Sequence, residues 1–171
     1  LDNCSNLNET LRYQLTFPGS RRILYVAEAV RFGWDAYKIN QLTGIDFWFL
    51  HQIIDLIDEE NILQDAKLHE IDFDKMLNLK KKGFADRRIA DLTSSSTNEV
   101  RDFRKKLGVT PSFKRVDTCA AEFATETAYM YSAYEGECES QPTNNKKVIV
   151  LGSGPNRIGQ GIEFDYCCVH A

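Results

Sequence analysis

Apolar residues recur at helical spacing through the first part of the chain, and the pattern breaks wherever glycine or a capping side chain intervenes. Leu1 to Gly19 are mostly polar and close on the turn Phe17-Pro18-Gly19. Ser20 then stands where a cap is expected for a helix over Arg21 to Phe32, with Ile23, Leu24, Val26, Ala27 and Val30 as its apolar stripe. Gly33 stops it, as a glycine just past a helix end does. A short helix is expected near Ala36 to Leu42, and Thr43-Gly44-Ile45-Asp46 supplies another stop and cap. Asp46 precedes Phe47, Trp48, Phe49, Leu50, Ile53, Ile54 and Ile57, an apolar helix expected to be mostly buried.

The pattern then repeats without a gap at an offset of fifty residues. Gly33-Trp34 aligns with Gly83-Phe84, Ile39 with Ile89, and Leu42-Thr43 with Leu92-Thr93. Leu50 aligns with Val100, Ile53 with Phe103 and Ile57 with Leu107. Two similar helical units, Arg21 to Glu59 and Phe73 to Gly108, are therefore expected to bury their stripes against one another.

From Val109-Thr110-Pro111 the periodicity weakens. Tyr129, Met130, Tyr131 and Tyr134 alternate as in an extended, strand-like segment. Thr110 to Thr143 reads as a connecting arm that packs its tyrosines on neighbouring domains in half-wet contacts; a base-stacking platform is the alternative, but it lacks interleaved Arg or Lys. Gln141-Pro142-Thr143-Asn144-Asn145 is a linker, and Lys147 to Leu151 form an aliphatic strand running into a glycine loop. The fold class is mainly α, with an internal two-unit repeat, an extended arm and the first strand of a truncated α/β domain. The expected divisions are 1–19, 20–109, 110–145 and 146–171.

Composition changes this picture little. The 171 residues are 43% hydrophobic and 27% charged, with a net charge of −4. Those values suit a water-exposed globular chain and speak against a large phosphate-binding surface. No apolar run approaches the ~20 residues of a membrane helix. The start, Leu1-Asp2-Asn3-Cys4-Ser5-Asn6, carries neither a basic nor an apolar targeting region and reads as a cut within a longer protein. Cys4, Cys119, Cys138, Cys167 and Cys168 lack CxxC spacing, and His51, His69 and His170 stand apart from them, so reduced thiols are expected rather than a zinc site.

Lys80-Lys81-Lys82 with Arg87-Arg88 is the one basic cluster. Ile89-Ala90-Asp91-Leu92-Thr93 with Ser96, Val100 and Arg104-Lys105-Lys106 resembles a helix-turn-helix, which would make the region a nucleic-acid or protein adaptor. The other reading is a solvated face with cations at a helix C-terminus. At the equivalent place the first unit carries Trp48, Phe49, Leu50 and His51, which suit a groove of DNA poorly.

The glycine loop fails the generic phosphate fingerprints. Gly152 and Gly154 fit GxGxxG, but Arg157 stands at its third glycine. Gly154 to Gly159 has P-loop spacing, but Gln160 replaces the lysine.

The wording of the loop is more informative than its spacing. Val150-Leu151-Gly152-Ser153-Gly154-Pro155-Asn156-Arg157-Ile158-Gly159-Gln160-Gly161-Ile162-Glu163-Phe164-Asp165-Tyr166-Cys167 closely resembles the opening of the second synthetase half of the carbamoyl phosphate synthetase large chain. Lys114 to Phe123 and Tyr129-Met130-Tyr131-Ser132 resemble that family's connecting arm. Asp46 to Leu50 and Lys82-Gly83-Phe84-Ala85-Asp86 resemble its helical oligomerisation domain.

The resemblance implies a parent enzyme of two ATP-grasp halves that makes carbamoyl phosphate from bicarbonate, ammonia and two ATP, via carboxyphosphate and carbamate. It implies ATP, Mg2+ or Mn2+ and K+ as cofactors, a glutaminase small chain or domain as partner, and self-association of large chains. Nucleic acid and membrane are not implied. Arginine or pyrimidine biosynthesis is the implied setting, in the cytoplasm or an organelle interior. The family's nucleotide and metal residues lie on segments outside these 171 residues, so this stretch is expected to be non-catalytic. By the same resemblance Gly161 and Glu163 line a carbamate tunnel, with Ile158 and Arg157 nearby, beside the loop glycines Gly152, Gly154 and Gly159. For Glu163 a helix N-terminal acid complementing the dipole remains equally open. The strand at Lys147 to Leu151 is expected to lack most of its sheet partners within these residues.

Overall fold

The computed structural model describes residues 7–124, 129–151 and 170. The helices are α1 (Leu7–Thr16), α2 (Arg22–Arg31), α3 (Ala36–Thr43), α4 (Phe47–Gln64), α5 (Phe73–Lys81), α6 (Asp86–Leu92) and α7 (Thr97–Lys106), with a 3-10 turn at Leu68–Glu70. Two short strands follow, β1 (Ser112–Arg115) and β2 (Met130–Ala133). Compact packing divides the chain at Glu139.

The helix boundaries follow from side-chain chemistry. Asp35, Asp46, Asp72 and Ser96 each accept a hydrogen bond from a backbone N–H of the following helix, at Lys38, Trp48, Lys75 and Glu99. Ser96 and Glu99 complete a reciprocal capping box. Helices α2, α5 and α7 share one stop: Gly33, Gly83 and Gly108 have φ of 83°, 89° and 84°. In each, the next residue's N–H reaches back to a carbonyl of the last turn: Trp34 to Ala29 at 2.9 Å, Phe84 to Leu79 at 3.0 Å, Val109 to Arg104 at 3.0 Å. A left-handed residue at this point satisfies carbonyls that the helix leaves open, and glycine reaches it without a Cβ penalty.

Ser20 is not the cap of α2. Arg21 holds that position with no side-chain hydrogen bond, and the Arg22 N–H donates to the Gly19 carbonyl at 3.1 Å. The Arg22 guanidinium instead donates to the carbonyls of Leu15 and Thr43, both at 2.9 Å, and so ties the ends of α1 and α3 together. The polar look of its sequence gives no sign of α1, yet Leu11 and Leu15 are fully buried. Leucines four apart share one helix face, and two suffice to dock a short helix.

The two repeats do not close on each other. Each has its own core. Leu11, Leu15, Val26, Ala29, Trp34, Ile39 and Leu50 form the first, and Leu63, Ile71, Met76, Leu79, Phe84, Ile89 and Val100 lie in the second. The long α4 serves both, with Leu50 and Ile53 at one end and Leu56 and Leu63 at the other. Because each half of α4 faces a core on one side only, its apolar start is largely uncovered: Phe47, Trp48 and Phe49 are 40%, 62% and 58% exposed. Ile23 and Leu24 are also exposed, so Val26 and Ala29 carry the burial on α2. Each fully buried Leu or Ile contributes roughly 1.5–3 kcal/mol.

β1 pairs antiparallel with β2, Ser112 opposite Ala133 and Arg115 opposite Met130. The arm thus folds back on itself. The Ser112 hydroxyl donates to the Glu135 carbonyl at 2.8 Å, and the Arg115 N–H donates to the Glu139 carboxylate at 2.7 Å. Residues 140–151, described by themselves, contain no helix or paired strand, and Val148, Ile149 and Leu151 are exposed. The aliphatic strand expected there has no ladder partner among the described residues.

Candidate functional site

Gly152, Gly154, Arg157, Ile158, Gly159, Gly161 and Glu163 lie outside the described residues. The described chemistry is concentrated instead where the two repeats diverge.

In the second repeat, Lys80 ends α5, Asp86 opens α6 and Arg104 lies in α7. The Lys80 ammonium donates to the Asp86 carboxylate at 2.8 Å and to the Phe84 carbonyl at 2.7 Å. Arg104 grips the same carboxylate through Nε and Nη2, both at 3.1 Å, and donates to the Val109 carbonyl at 2.7 Å. The three side chains are only 8%, 13% and 10% exposed. Burial pushes the Asp86 carboxyl up, but the hydrogen bonds from Arg104 and Lys80 outweigh it and hold the group below the ordinary aspartate range. Tyr134, carried by the residue after β2, lies over this triad, with its ring centroid 5.4 Å from Lys80 Nζ and 5.9 Å from Arg104 Cζ.

The same three positions in the first repeat are Val30, Ala36 and Ile54. Here the space is an open groove of about 780 Å³, lined by these three with Trp34, Phe47 and His51 among others. Tyr37, at its edge, is 65% exposed. Lys38 crosses the Trp34 ring, Nζ 3.6 Å from the centroid.

A second charged cluster joins the repeats. Glu60 on α4 accepts from Arg31 of α2 at 2.7 Å and from Arg88 of α6 at 2.8 Å. Its neighbour Glu59 accepts from Lys82 at 2.8 Å and Asn78 at 3.1 Å, and it pairs with Lys75. Burial raises both carboxyls, and the cation hydrogen bonds bring both below the ordinary glutamate range.

Three cations of the basic cluster are therefore turned to carboxylates of the fold: Lys80 to Asp86, Lys82 to Asp55 and Glu59, and Arg88 to Glu60. That arrangement suits a structural role better than a phosphate-facing one. Among the described residues no three metal-ligating side chains converge. The carboxylates that do cluster are already matched by lysine and arginine, a donor set that suits ion pairing rather than a metal. No described helix is long and apolar enough to cross a membrane.

Sequence reasoning counted Tyr134 among the packing tyrosines of the arm, but it gave Asp86, Arg104, Glu59 and Glu60 no partner. A signal existed: in the fifty-residue alignment, charged residues at 80, 86 and 104 replace the apolar or small Val30, Ala36 and Ile54. A repeat that swaps three spatially adjacent positions together marks a contact, and this swap is visible in the sequence.

Residues 2–108 match the family described as the carbamoyl-phosphate synthetase large chain, oligomerisation domain. Residues 144–171 match the carbamoyl phosphate synthase preATP-grasp domain. The chain is 56% identical over 161 residues to the carbamoyl phosphate synthase large chain of Neisseria meningitidis serogroup B, covering 94% of this chain and 15% of that one. It is 58% identical over 161 residues to the protein of the same name from Pseudomonas putida, again 94% and 15%. For Pseudomonas aeruginosa the identity is 52% over 169 residues, 99% of this chain and 16% of the relative. The chain thus spans about 15% of the length of such relatives.

Proposed function

Because the chain belongs to the carbamoyl phosphate synthetase large-chain family, matched over its oligomerisation domain, we propose that it is the connecting and self-associating segment of such an enzyme. The match over residues 2–108 is the observation that carries this reading, since it covers both helical repeats. The parent enzyme would form carbamoyl phosphate from bicarbonate, glutamine-derived ammonia and two ATP, with a glutaminase chain or domain supplying the ammonia. ATP, Mg2+ or Mn2+ and K+ would act on segments other than this one. Its work would serve arginine or pyrimidine biosynthesis in the cytoplasm or an organelle interior.

Within this reading the segment performs no bond-making of its own. The helical region matched over residues 2–108, α1 included, holds large chains together, 110–145 lead to the second half, and 146–171 open that half. Gly161 and Glu163 line the carbamate passage, with Ile158 and Arg157 beside them and Gly152, Gly154 and Gly159 shaping the loop. A missing side chain at Gly161 keeps a passage open, while a carboxylate at Glu163 accepts hydrogen bonds from a polar intermediate. In the full enzyme Gly161→Leu is expected to abolish carbamoyl phosphate synthesis while the bicarbonate-dependent ATPase of the first half persists. Undiminished synthesis in that variant would remove the tunnel assignment.

A further inference from the structure

The second repeat carries a charged triad that its fold does not require. In the first repeat Val30, Ala36 and Ile54 stand at the same three positions, yet the helices there stop at an equivalent glycine and bury an equivalent core. The charges therefore serve what lies on them. Lys80 of α5 and Arg104 of α7 bring two cations to the one carboxylate of Asp86 on α6, which leaves one positive charge over in a largely buried place. The face of an aromatic ring attracts a cation without adding a charge of its own. Tyr134 supplies that face and also packs against the second core, so one ring of the arm is tied to three helices.

The backbone around Tyr134 is held from both sides. The buried Ser112 hydroxyl sits within hydrogen-bonding distance of the carbonyls of Ala133 and Glu135, at 3.2 and 2.8 Å, and so brackets the tyrosine. Gly136 then turns the chain with φ of 64°. Cys138 and Glu139 come back along the edge of β1 that faces away from β2. There the Glu139 N–H donates to the Phe113 carbonyl at 2.7 Å and the Phe113 N–H donates to Cys138 Sγ at 3.5 Å. The Arg115 N–H and the Lys114 ammonium donate to the Glu139 carboxylate. β1 is thus bonded on both edges, which is the behaviour of a folded element and not of a slack tether. The first compact unit of the chain ends at Glu139, directly after these contacts.

We infer that β1, β2 and residues 134–139 form a latch, with Tyr134 as its catch and Asp86 as the residue that gathers the cations beneath it. In the full enzyme the latch is a positioning device. It fixes, on the second repeat, the point from which the chain departs for the second synthetase half, so that this half takes up the intermediate made by the first. The inference rests on the reading above that the arm leads to that half.

The full-length large chain with its glutaminase tests it. Tyr134→Ala is expected to speed hydrogen exchange in β1, β2 and residues 134–139 at least about tenfold, while α5 to α7 keep their protection. The bicarbonate-dependent ATPase of that variant should stay within about twofold of wild type, and its ATP consumed per carbamoyl phosphate should rise at least about threefold, because small misplacements of a reacting partner cost large factors in rate. Unfolding of a fraction of the chain leaves that ratio unchanged, since both halves are then lost together. Tyr134→Phe keeps the ring and is expected to keep both readouts at the wild-type level. Ser112→Ala removes the brace and not the ring, and it should shift both in the same direction as Tyr134→Ala by less. Unchanged exchange of the arm in Tyr134→Ala would show that the ring is not the catch. A loosened arm with an unchanged ATP ratio would show that the latch positions nothing, and either result overturns the inference. A wild type that makes no carbamoyl phosphate would instead overturn the reading of the parent enzyme on which it rests.

Discussion

Gly33 and Gly83 make the same left-handed turn at the ends of α2 and α5, and Trp34 and Phe84 fold back from them into equivalent cores. The side chains flanking those turns are of opposite character. Val30, Ala36 and Ile54 leave an apolar groove, whereas Lys80, Asp86 and Arg104 form a buried charged triad capped by Tyr134. The difference teaches that backbone periodicity and surface role separate cleanly in a repeat. Glycines and core aliphatics set where helices stop and which side they bury. Positions between the turns are free to specialise, and here one repeat holds its own arm while the other offers an uncovered face.

The strongest way to break the comparison is Asp86→Ala, which installs the first repeat's residue in the second. Lys80 and Arg104 would then be buried cations without their carboxylate, and a loss of about 3–5 kcal/mol is expected. Urea unfolding of the large chain, followed by exchange protection of α6, reads this effect. Converting all three positions (Lys80→Val, Asp86→Ala and Arg104→Ile) should recover most of the loss, because a buried ion cluster and an apolar filling of similar volume are close in stability. A triple variant as unstable as the single one would show that the repeats are not interchangeable there.

Acid separates the repeats next. The carboxyls of Glu59, Glu60 and Asp86 are held below their ordinary values in the folded chain. Their stabilisation is therefore fully present above the unfolded carboxylate range of about 4 and is lost as pH falls through the lower folded values. Asp86 and the partners of Glu59 belong to the second repeat, so α5 and α6 are expected to lose exchange protection at higher pH than α1 and α3. Glu60→Gln should reduce the pH dependence, since it removes the carboxylate that Arg31 and Arg88 share. Simultaneous loss of protection in both repeats would contradict this.

The smallest effects sharpen the likeness rather than the difference. An added Cβ at Gly33 or Gly83 meets nothing within 4 Å, so alanine there is strained by its backbone alone. Both substitutions should cost the same, about 1–2 kcal/mol. The equivalent of Gly44 is Ser94, and both are left-handed, with φ of 67° and 53°. Ser94→Gly should accordingly change stability by less than about 1 kcal/mol and in the stabilising direction. Thermal unfolding of these variants in one background compares them directly.

Local chemistry was legible from residues alone wherever it acts within a few positions. The stops at Gly33, Gly44 and Gly83, the cap at Asp46, the repeat from Gly33 to Leu107 and the family of the chain all came from short-range patterns. A glycine's left-handed turn and a carboxylate's reach to a nearby N–H depend on bonded neighbours, not on the rest of the fold.

What only the tertiary structure decided were partnerships across distance. The apolar start of α4 looks buried in one dimension, yet a helix shared by two cores turns only part of its circumference to each, and Phe47, Trp48 and Phe49 are left outside. α1 looks polar, yet its two leucines complete a core. Asp86 reads as a surface acid beside a lysine run until Arg104 arrives from α7, eighteen positions on, and Tyr134 closes over both cations. Burial and ion pairing are properties of what is brought together, and periodicity records only which side of an element is available to be covered.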